Sequence, residues 1–563
     1  MKAIYLRYSM IIAAFFSVYS YGAAPKIYWT KAISAPASIP PVVYSARYST
    51  ILGSNIVIIG NSYKLGASSD TNIILFRIDS TGIILSQKSF HKNVSFEQVS
   101  SIENANDTSI VACGWRYENG KRIGLVQYYN RGCDTVATVK LCPTDTSSTA
   151  IASDVAPDGS SCFGTGILDR SVNDSLLFFS VKNGNVVRMQ GILPIKSSTS
   201  SPVISASNVD NYLFIGCIYN DSINIVKVDT AGIVSWAKTY GAYSNQSIKG
   251  IAPCNNGDII ITGQKVNDAM ALRINSNGIQ IFNTVYDYGY GSSNKWSITS
   301  GASIRECPDK TILIAGQSRS ESVLYHDPTT GQLYNTYMWG AYLVKIDPVG
   351  DTLWYTTAGT EFSPTCSAVD AIPLADGGFY SIHNESNGVI YLTRYCPLSL
   401  TLPDSVKLNM PAKGAITNST TAKFSWFKSN SPFVTKYEFK LIWLLSGMEL
   451  IEKDTLIADT SIAVLLLDNS SYSWTVRAIN PVGQGPFCGQ WQFTVNTNAT
   501  DIVPQKQIFT NVVNRKMELF DVAGRRITIC SGNIRVRNSS LSGLYLARSN
   551  NRNSIIKKRF FLK

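Results

Sequence analysis

Three histidines, His91, His326 and His383, are the only imidazoles in the chain, and each stands alone. None belongs to an HExxH pair, the i, i+4 spacing that sets two ring nitrogens on one helix face to hold zinc. No Gly-x-Ser-x-Gly elbow offers a nucleophile, and no glycine-rich loop precedes a helix to cradle phosphate. The recurring aspartates Asp79, Asp229 and Asp347 suggest carboxylate pairs for acid–base work. Each, however, opens an Asp-x-x-Gly stretch, where the side chain has a turn to hold together. Asp154 and Asp158 in DVAPDGS are too few for a calcium cage. The 11 cysteines are odd in number and include no CxxC, which argues against a zinc site and against complete intrachain pairing. Cys113, Cys162 and Cys217 lie in apolar segments as small buried thiols. Cys254 and Cys307 occupy equivalent points just before turns and are the one pair placed to face each other, with no bridge required. The expectation is no catalytic set, no metal and no cofactor.

Binding chemistry has better candidates. Two long connections are rich in aromatic residues, YDYGYGSSNKW (Tyr286 to Trp296) and SRSESVLYHDPTTGQLYNTYMWG (Ser318 to Gly340). Exposed Tyr and Trp offer stacking area with a polar tip, the combination that recognises sugars and protein surfaces. The candidate site is therefore Tyr288, Tyr290, Trp296, Tyr325, His326, Tyr334, Tyr337 and Trp339. The alternative is that the second connection forms an extra hairpin whose aromatics merely cover the neighbouring sheet.

The elements that would position these residues come from a repeat of roughly 50 residues, a period that signals solenoids or propellers. INIVKVDTAGIVSWAKTYG (Ile223 to Gly241), DAMALRINSNGIQIFNTVY (Asp268 to Tyr286) and AYLVKIDPVGDTLWYTTAG (Ala341 to Gly359) share one pattern of strand, Asp/Asn-x-x-Gly turn, strand. IILFRIDSTGIILSQKSF (Ile73 to Phe90) repeats it, and weaker copies turn at Asn130 and Asn183. Before each comes another hairpin, whose second strand is expected to end in glycine: Gly60, Gly114, Gly164, Gly216, Gly263 and Gly316. The seventh copy, GGFYSIHN, lacks that glycine. Each unit thus holds four strands, here called a, b, c and d. Alternating strand directions send the b–c and d–a connections to one face and the tight a–b and c–d turns to the other. Both aromatic connections fall on the first face.

The seventh unit stops after YLTRY (Tyr391 to Tyr395) without a d strand, while IYWTKAI (Ile27 to Ile33) near the start matches VSWAKTY and TLWYTTA. The N-terminal strand is therefore expected to complete the last unit and remove the free edges. The hairpins resemble those of secreted bacterial β-propeller repeat families. That resemblance implies an all-β chain with a seven-bladed propeller over residues 23–400, and it fixes no chemistry. FSW (Phe424 to Trp426), KYEFKL (Lys436 to Leu441) and YSWTVRAINPVGQGPF (Tyr472 to Phe487) resemble strands of a fibronectin type III β-sandwich. It would span 403–497 and act as a spacer or, less often, a binding surface.

The ends address the chain. Lys2 and Arg7 precede a short apolar run from Met10 to Val18, and Ser20 and Gly22 offer small residues before a cleavage point, the layout of a signal peptide over 1–22. No stretch reaches the about 18 apolar residues that a spanning helix needs. At the other end, KMELFDVAGRR, LSGLYLARS and IIKKRFFLK resemble the type A C-terminal sorting domain of the bacterial type IX secretion system, here 500–563. The matching residues are Asp521, Gly524, Arg525, Gly543, Tyr545, Lys557 and Lys558. The resemblance implies that the secretion machinery is a partner and that the chain passes through the periplasm to be released or attached at the outer-membrane surface.

Charge agrees. The net charge is +12, but from Asp501 onward 13 Lys and Arg face 3 Asp and Glu, and the leader adds Lys2 and Arg7. The body between is neutral, so the charge disfavours nucleic acid as a partner. The expectation is a secreted or surface protein that binds a glycan or protein ligand through its long-loop face. A propeller-fold glycosidase or lyase is the alternative and would need carboxylates converging near the ring axis. A purely structural display role is a third reading.

Overall fold

The computed structural model describes all residues except 1–24, 38–41, 65–70, 92–97, 142–146, 156–160, 170–174, 195–202, 208–211, 220–221, 243–245, 266–267, 287–295, 321–322, 327–332, 337–338, 359–366, 386–387, 446–447, 499–515, 521–525, 532–542, 552–553 and 563. The side chains of some described strand residues, those of 296–299, 319–339 and the C-terminal strands among them, lie outside the description as well. The chain divides into two compact units between Leu398 and Ser399.

The described part of the first unit consists of four-stranded antiparallel sheets plus one separate two-stranded hairpin. Six of the sheets are consecutive in sequence. The first runs Val42–Leu52, Asn55–Lys64, Thr71–Ile78 and Ile84–His91; the second lies within 98–141, the third within 147–194, the fourth within 203–242, the fifth within 246–286, and the sixth within 296–358, where the separate hairpin interrupts it between its second and third strands. A seventh is composite: Ser367–Pro373, Phe379–Asn384 and Ile390–Tyr395 are joined by the N-terminal strand Ile27–Ile33, paired antiparallel from Ile27 opposite Tyr395 to Ile33 opposite Ile390. The strand exchange expected from IYWTKAI is thus present.

Apolar cores lie between consecutive sheets. Leu176 and Phe178 of the third sheet meet Leu213 and Ile215 of the fourth, and Phe282 of the fifth meets Ile304 and Ile314 of the sixth. The seventh packs back on the first, with Ile33, Ile372, Tyr380 and Leu392 against Tyr44, Ile58, Ile74 and Phe76. Each fully buried Ile, Leu or Phe is worth roughly 1.5–3 kcal/mol, so the closing junction is held mainly by this packing. Asn384 adds a two-pronged clamp: its Oδ1 accepts from the Ala46 N–H at 2.8 Å and its Nδ2 donates to the Ala46 carbonyl at 2.9 Å. This cyclic layout of small sheets is consistent with a propeller.

The repeated glycines do not end their strands. The second strand of the first sheet continues past Gly60 to Lys64, and that of the fifth past Gly263 to Lys265. Glycine is needed because strand a bulges opposite it, between Ala46 and Tyr48 and between Ile248 and Gly250. The bulge drives a carbonyl into the space of a Cβ, 2.1 Å from Ser45 O at Gly60 and 1.9 Å from Ser247 O at Gly263. By the same register the third sheet uses Gly166, opposite Ala150 at its bulge, and not Gly164. In the seventh sheet the position belongs to His383, opposite Ala368.

The second unit begins with two sheets, one of Leu408–Met410, Thr421–Trp426 and Ser461–Leu465, the other built around Ser470–Asn480 and Lys436–Leu445. Between them lie Phe424, Phe439, Trp474 and Phe493, all buried, with ring centroids 4.9–5.5 Å from Phe424. The Tyr472 hydroxyl accepts from the Leu467 N–H at 2.9 Å, tying the strand to the corner before it. The expected C-terminal strands are present as Lys516–Phe520, Gly543–Asn551 and Ser554–Leu562, in a four-stranded sheet with Arg526–Ser531.

Candidate functional site

The turn aspartates do structural work. Asp229 Oδ1 accepts from the N–H groups of Ala231 at 2.9 Å and Ile233 at 2.8 Å. Asp79 does the same for Thr81 and Ile83, and Asp347 for Val349 and Asp351. Each of these carboxylates thus serves two backbone donors of its own turn. Asn275 repeats the motif with Asn277 and Ile279, and Asn130 Oδ1 accepts from the Asp134 N–H at 3.0 Å. For Asp79, burial would raise the carboxyl, but the hydrogen bonds from Thr81, Ile83 and Gly82 together outweigh it and hold it below its ordinary value.

The cysteines whose side chains are described, Cys254 and Cys307 among them, are buried and unbridged. Cys254 lies in the core between the fifth and sixth sheets and Cys307 in the next one, so the pair does not share a core. Burial pushes the first thiol up to about 12 and the second to about 11. Asp158 lies outside the described residues.

The candidate aromatic site is only partly described. Tyr288, Tyr290 and Tyr337 lie outside the described residues. Trp296 opens strand a of the sixth sheet opposite Ser320, and Trp339 opens strand c opposite Arg319. The register therefore brings the two ends to the same edge of the sheet, on either side of strand b. Between them Val323–His326 and Leu333–Thr336 form a separate hairpin, with Tyr325 opposite Tyr334 and His326 opposite Leu333. The extra hairpin weighed against the site is thus present as backbone, on the b–c side of the sheet. Of the residues that carry the resemblance to a sorting domain, Asp521, Gly524 and Arg525 fall outside the described residues, while Gly543, Tyr545, Lys557 and Lys558 lie in the strands Gly543–Asn551 and Ser554–Leu562.

A second aromatic cluster went unread in the sequence. At the b–c hairpin of the second sheet, Trp115 and Tyr117 meet edge to face at 5.3 Å. The Arg122 guanidinium lies 5.0 Å from the Trp115 ring and 5.7 Å from the Tyr117 ring. Its Nε also donates to the Tyr117 hydroxyl at 3.0 Å. Tyr117 is 48 % exposed. Beside it Glu118 is paired with Arg116 and, at 2.9 Å, with Lys140. Bonds from Lys140 and then Arg116 hold the Glu118 carboxyl below its ordinary value. The cluster presents a stacking surface, a fixed guanidinium and a charged carboxylate at one point. Its signal was the alternation in WRYENGKR, where two aromatics two apart precede an Asn-Gly turn and a basic pair. The turn is short and tight, so the segment resembles any other hairpin of the repeat.

Two buried polar positions complete the picture. Asp370 on strand a of the seventh sheet accepts from Ser49 of the first at 2.8 Å and from Arg305 of the sixth at 3.2 and 2.8 Å, joining three strands a. Burial alone would raise its carboxyl, but the Arg305 charge and these hydrogen bonds outweigh it and hold it low. His383 is 3 % exposed and stacks on Tyr391 at 5.2 Å, and neither ring nitrogen has a hydrogen-bond partner. Burial pushes it down to about 4, against a small upward pull from Glu385. Among the described residues no three His, Cys, Asp or Glu gather as metal ligands.

The described residues define an all-β protein built of small four-stranded antiparallel sheets, consistent with a propeller. No family model matches the chain and no curated protein matches it. Solved structures similar to it include prolyl oligopeptidase B from Galerina marginata (9 % identity, TM-score 0.32, 62 % of this chain and 47 % of that one). Others are the WD40 domain of Toxoplasma gondii coronin (9 %, 0.34, 67 % and 88 %) and the extracellular domain of a putative one-component system from B. thetaiotaomicron (9 %, 0.29, 84 % and 98 %). The chain spans about half the length of the oligopeptidase. At these scores none of the likenesses bears on activity.

Proposed function

We propose that this is a secreted or cell-surface binding protein whose seven-bladed propeller, residues 23–400, presents its b–c and d–a face to a glycan or protein ligand. The observation that carries the reading is the Trp115–Tyr117–Arg122 cluster at the b–c hairpin of the second sheet, an exposed aromatic surface with its cation already oriented. The long connections of the sixth sheet, with Tyr288, Tyr290, Trp296, Tyr325, His326, Tyr334, Tyr337 and Trp339, extend the same face. In this reading residues 403–497 are a fibronectin type III spacer, supported by the two-sheet packing and the Tyr472 corner bond. Residues 500–563 deliver the chain to the type IX secretion machinery after removal of residues 1–22. The neutral body supports a ligand other than nucleic acid, and among the described residues no helix is long and apolar enough to cross a membrane.

The test is retention of the full chain on a panel of insoluble and soluble polysaccharides. Two double variants run beside it, Trp115→Ala/Tyr117→Ala and Tyr337→Ala/Trp339→Ala. Retention on one glycan that either variant loses establishes the face. Retention unchanged in both, or none with any glycan or surface extract, sinks the reading. Release of soluble sugar in the same tubes would instead place the protein among polysaccharide-degrading enzymes.

A further inference from the structure

At the b–c hairpin of the second sheet the polar groups left open are donors. Asn119 and Gly120 form its turn, both at positive φ (51° and 77°), the geometry that lets strand pairing run right up to a two-residue turn. Glu118 pairs with Lys121 beside the turn, then Tyr117 with Arg122, Arg116 with Ile123 and Trp115 with Gly124. Directly opposite residues share a face of the hairpin. Trp115, Tyr117 and Arg122 therefore stand on one side, and Arg116, Glu118 and Lys121 on the other. Gly124 sets no side chain across from Trp115, since a Cβ there would lie 3.0 Å from the Ala150 backbone nitrogen. The Arg122 guanidinium fills that place diagonally, over the indole.

Only part of the guanidinium is used. Its Nε is committed to the Tyr117 hydroxyl, while its two terminal nitrogens meet no acceptor among the described residues. Arg122 and Lys121 are both exposed. Glu118, the one carboxylate of the hairpin, already answers Arg116 and Lys140. Four cations thus stand against one carboxylate, in a body neutral overall.

Donors select the ligand. Guanidinium and ammonium groups only donate, so the hydroxyl protons of a neutral sugar would find no open acceptor beside them. A carboxylate or sulfate only accepts, and its paired oxygens fit the guanidinium fork. The sugar ring that bears such a group has an apolar face to set on Tyr117, which is 48 % exposed. We propose that this hairpin is a subsite for an acidic polysaccharide, with a sugar ring on Tyr117 and its carboxylate or sulfate on the terminal nitrogens of Arg122. The proposal rests on the ligand-face reading above and narrows its ligand to one class.

The experiment uses the full chain labelled with ¹⁵N-tryptophan and follows the Trp115 indole resonance, assigned through Trp115→Phe or by its movement in Arg122→Gln. The ligands are trigalacturonate, its methyl ester, a sulfated trisaccharide and a triglutamate peptide. Short ligands and a local readout are needed because from Asp501 onward 13 Lys and Arg face 3 Asp and Glu, a charge that gathers any long polyanion. The expected result is a saturable shift with trigalacturonate or the sulfated sugar, the tighter of the two identifying the anion. Binding should weaken about tenfold or more in Arg122→Gln, and less in Arg122→Lys, which keeps the charge without the fork. If the carboxylate is the anion, methyl esterification should cost as much. Equal binding of the triglutamate peptide, unchanged binding in Arg122→Gln, or no shift with either acidic sugar at millimolar concentration overturns the proposal. In that event, retention on a neutral glycan that Trp115→Ala/Tyr117→Ala loses would show that the face binds and only the acidic class is wrong. No retention on any glycan or surface extract would remove both.

Discussion

His383 stands where the sister sheets have glycine, and it makes a sharp prediction about acid stability. An imidazole in an unfolded chain titrates near 6.5, whereas burial holds the native one near 4. Between these values the unfolded state binds the proton and the native state does not, so stability rises with pH across that window. The contribution is fully present above about pH 6.5, is lost as the pH falls, and levels off below about 4. Each pH step of one between the two values is worth about 1.36 kcal/mol, so the whole window amounts to about 3 kcal/mol. The perturbation is His383→Gln, which keeps a polar side chain but cannot titrate. Guanidinium denaturation of both proteins, followed by tryptophan fluorescence from pH 3.5 to 7.5, gives the difference curve. Carboxylates such as Asp370 contribute equally to both and cancel. The wild-type advantage should shrink by about 3 kcal/mol on going from pH 7 to pH 4. Direct titration by imidazole NMR is simple with three histidines, and one should titrate near 4. Parallel stability curves, or three histidines that all titrate near 6.5, would refute the assigned burial of His383.

Two further outcomes follow from the geometry. Gly263→Ala sets a methyl 1.9 Å from a backbone oxygen and should cost about 3 kcal/mol as overpacking against main chain. Gly489→Ala, with nothing within 4 Å, should stay within about 0.5 kcal/mol, so equal thermal shifts for the two would contradict the bulge account. Asp370→Ala strands Arg305 and Ser49 on separate strands. Because Arg305 is 37 % exposed and partly solvated, the loss should be at the low end for a broken buried pair, about 3 kcal/mol. An unchanged denaturation midpoint would show that the three-strand link contributes nothing.

Much of the architecture was legible in the sequence because it is local. The Asp-x-x-Gly corners, the alternation along each strand and the orphan strand Ile27–Ile33 are short-range patterns, and they specify hairpins before any packing is known. The exchange of the N-terminal strand was readable because IYWTKAI repeats a motif whose place in the seventh unit is empty. The aromatic residues of the sixth sheet's connections were readable as a composition, but composition alone does not orient a side chain. The Trp115–Tyr117–Arg122 cluster was missed because its residues lie in strands, where aromatic alternation reads as core.

Sequence alone determined the repeat, the four-strand unit and the turn chemistry, since each hairpin follows from residues within a few positions of one another. Only the tertiary structure decided what spans the junctions. It placed the strand a bulges that make Gly60 and Gly263 obligatory, identified Gly166 as the third member, and put His383 in the same slot. It separated Cys254 from Cys307 into different cores and gathered Ser49, Arg305 and Asp370 from three sheets. These depend on residues up to 321 positions apart in the chain, whose meeting is fixed by closure of the ring.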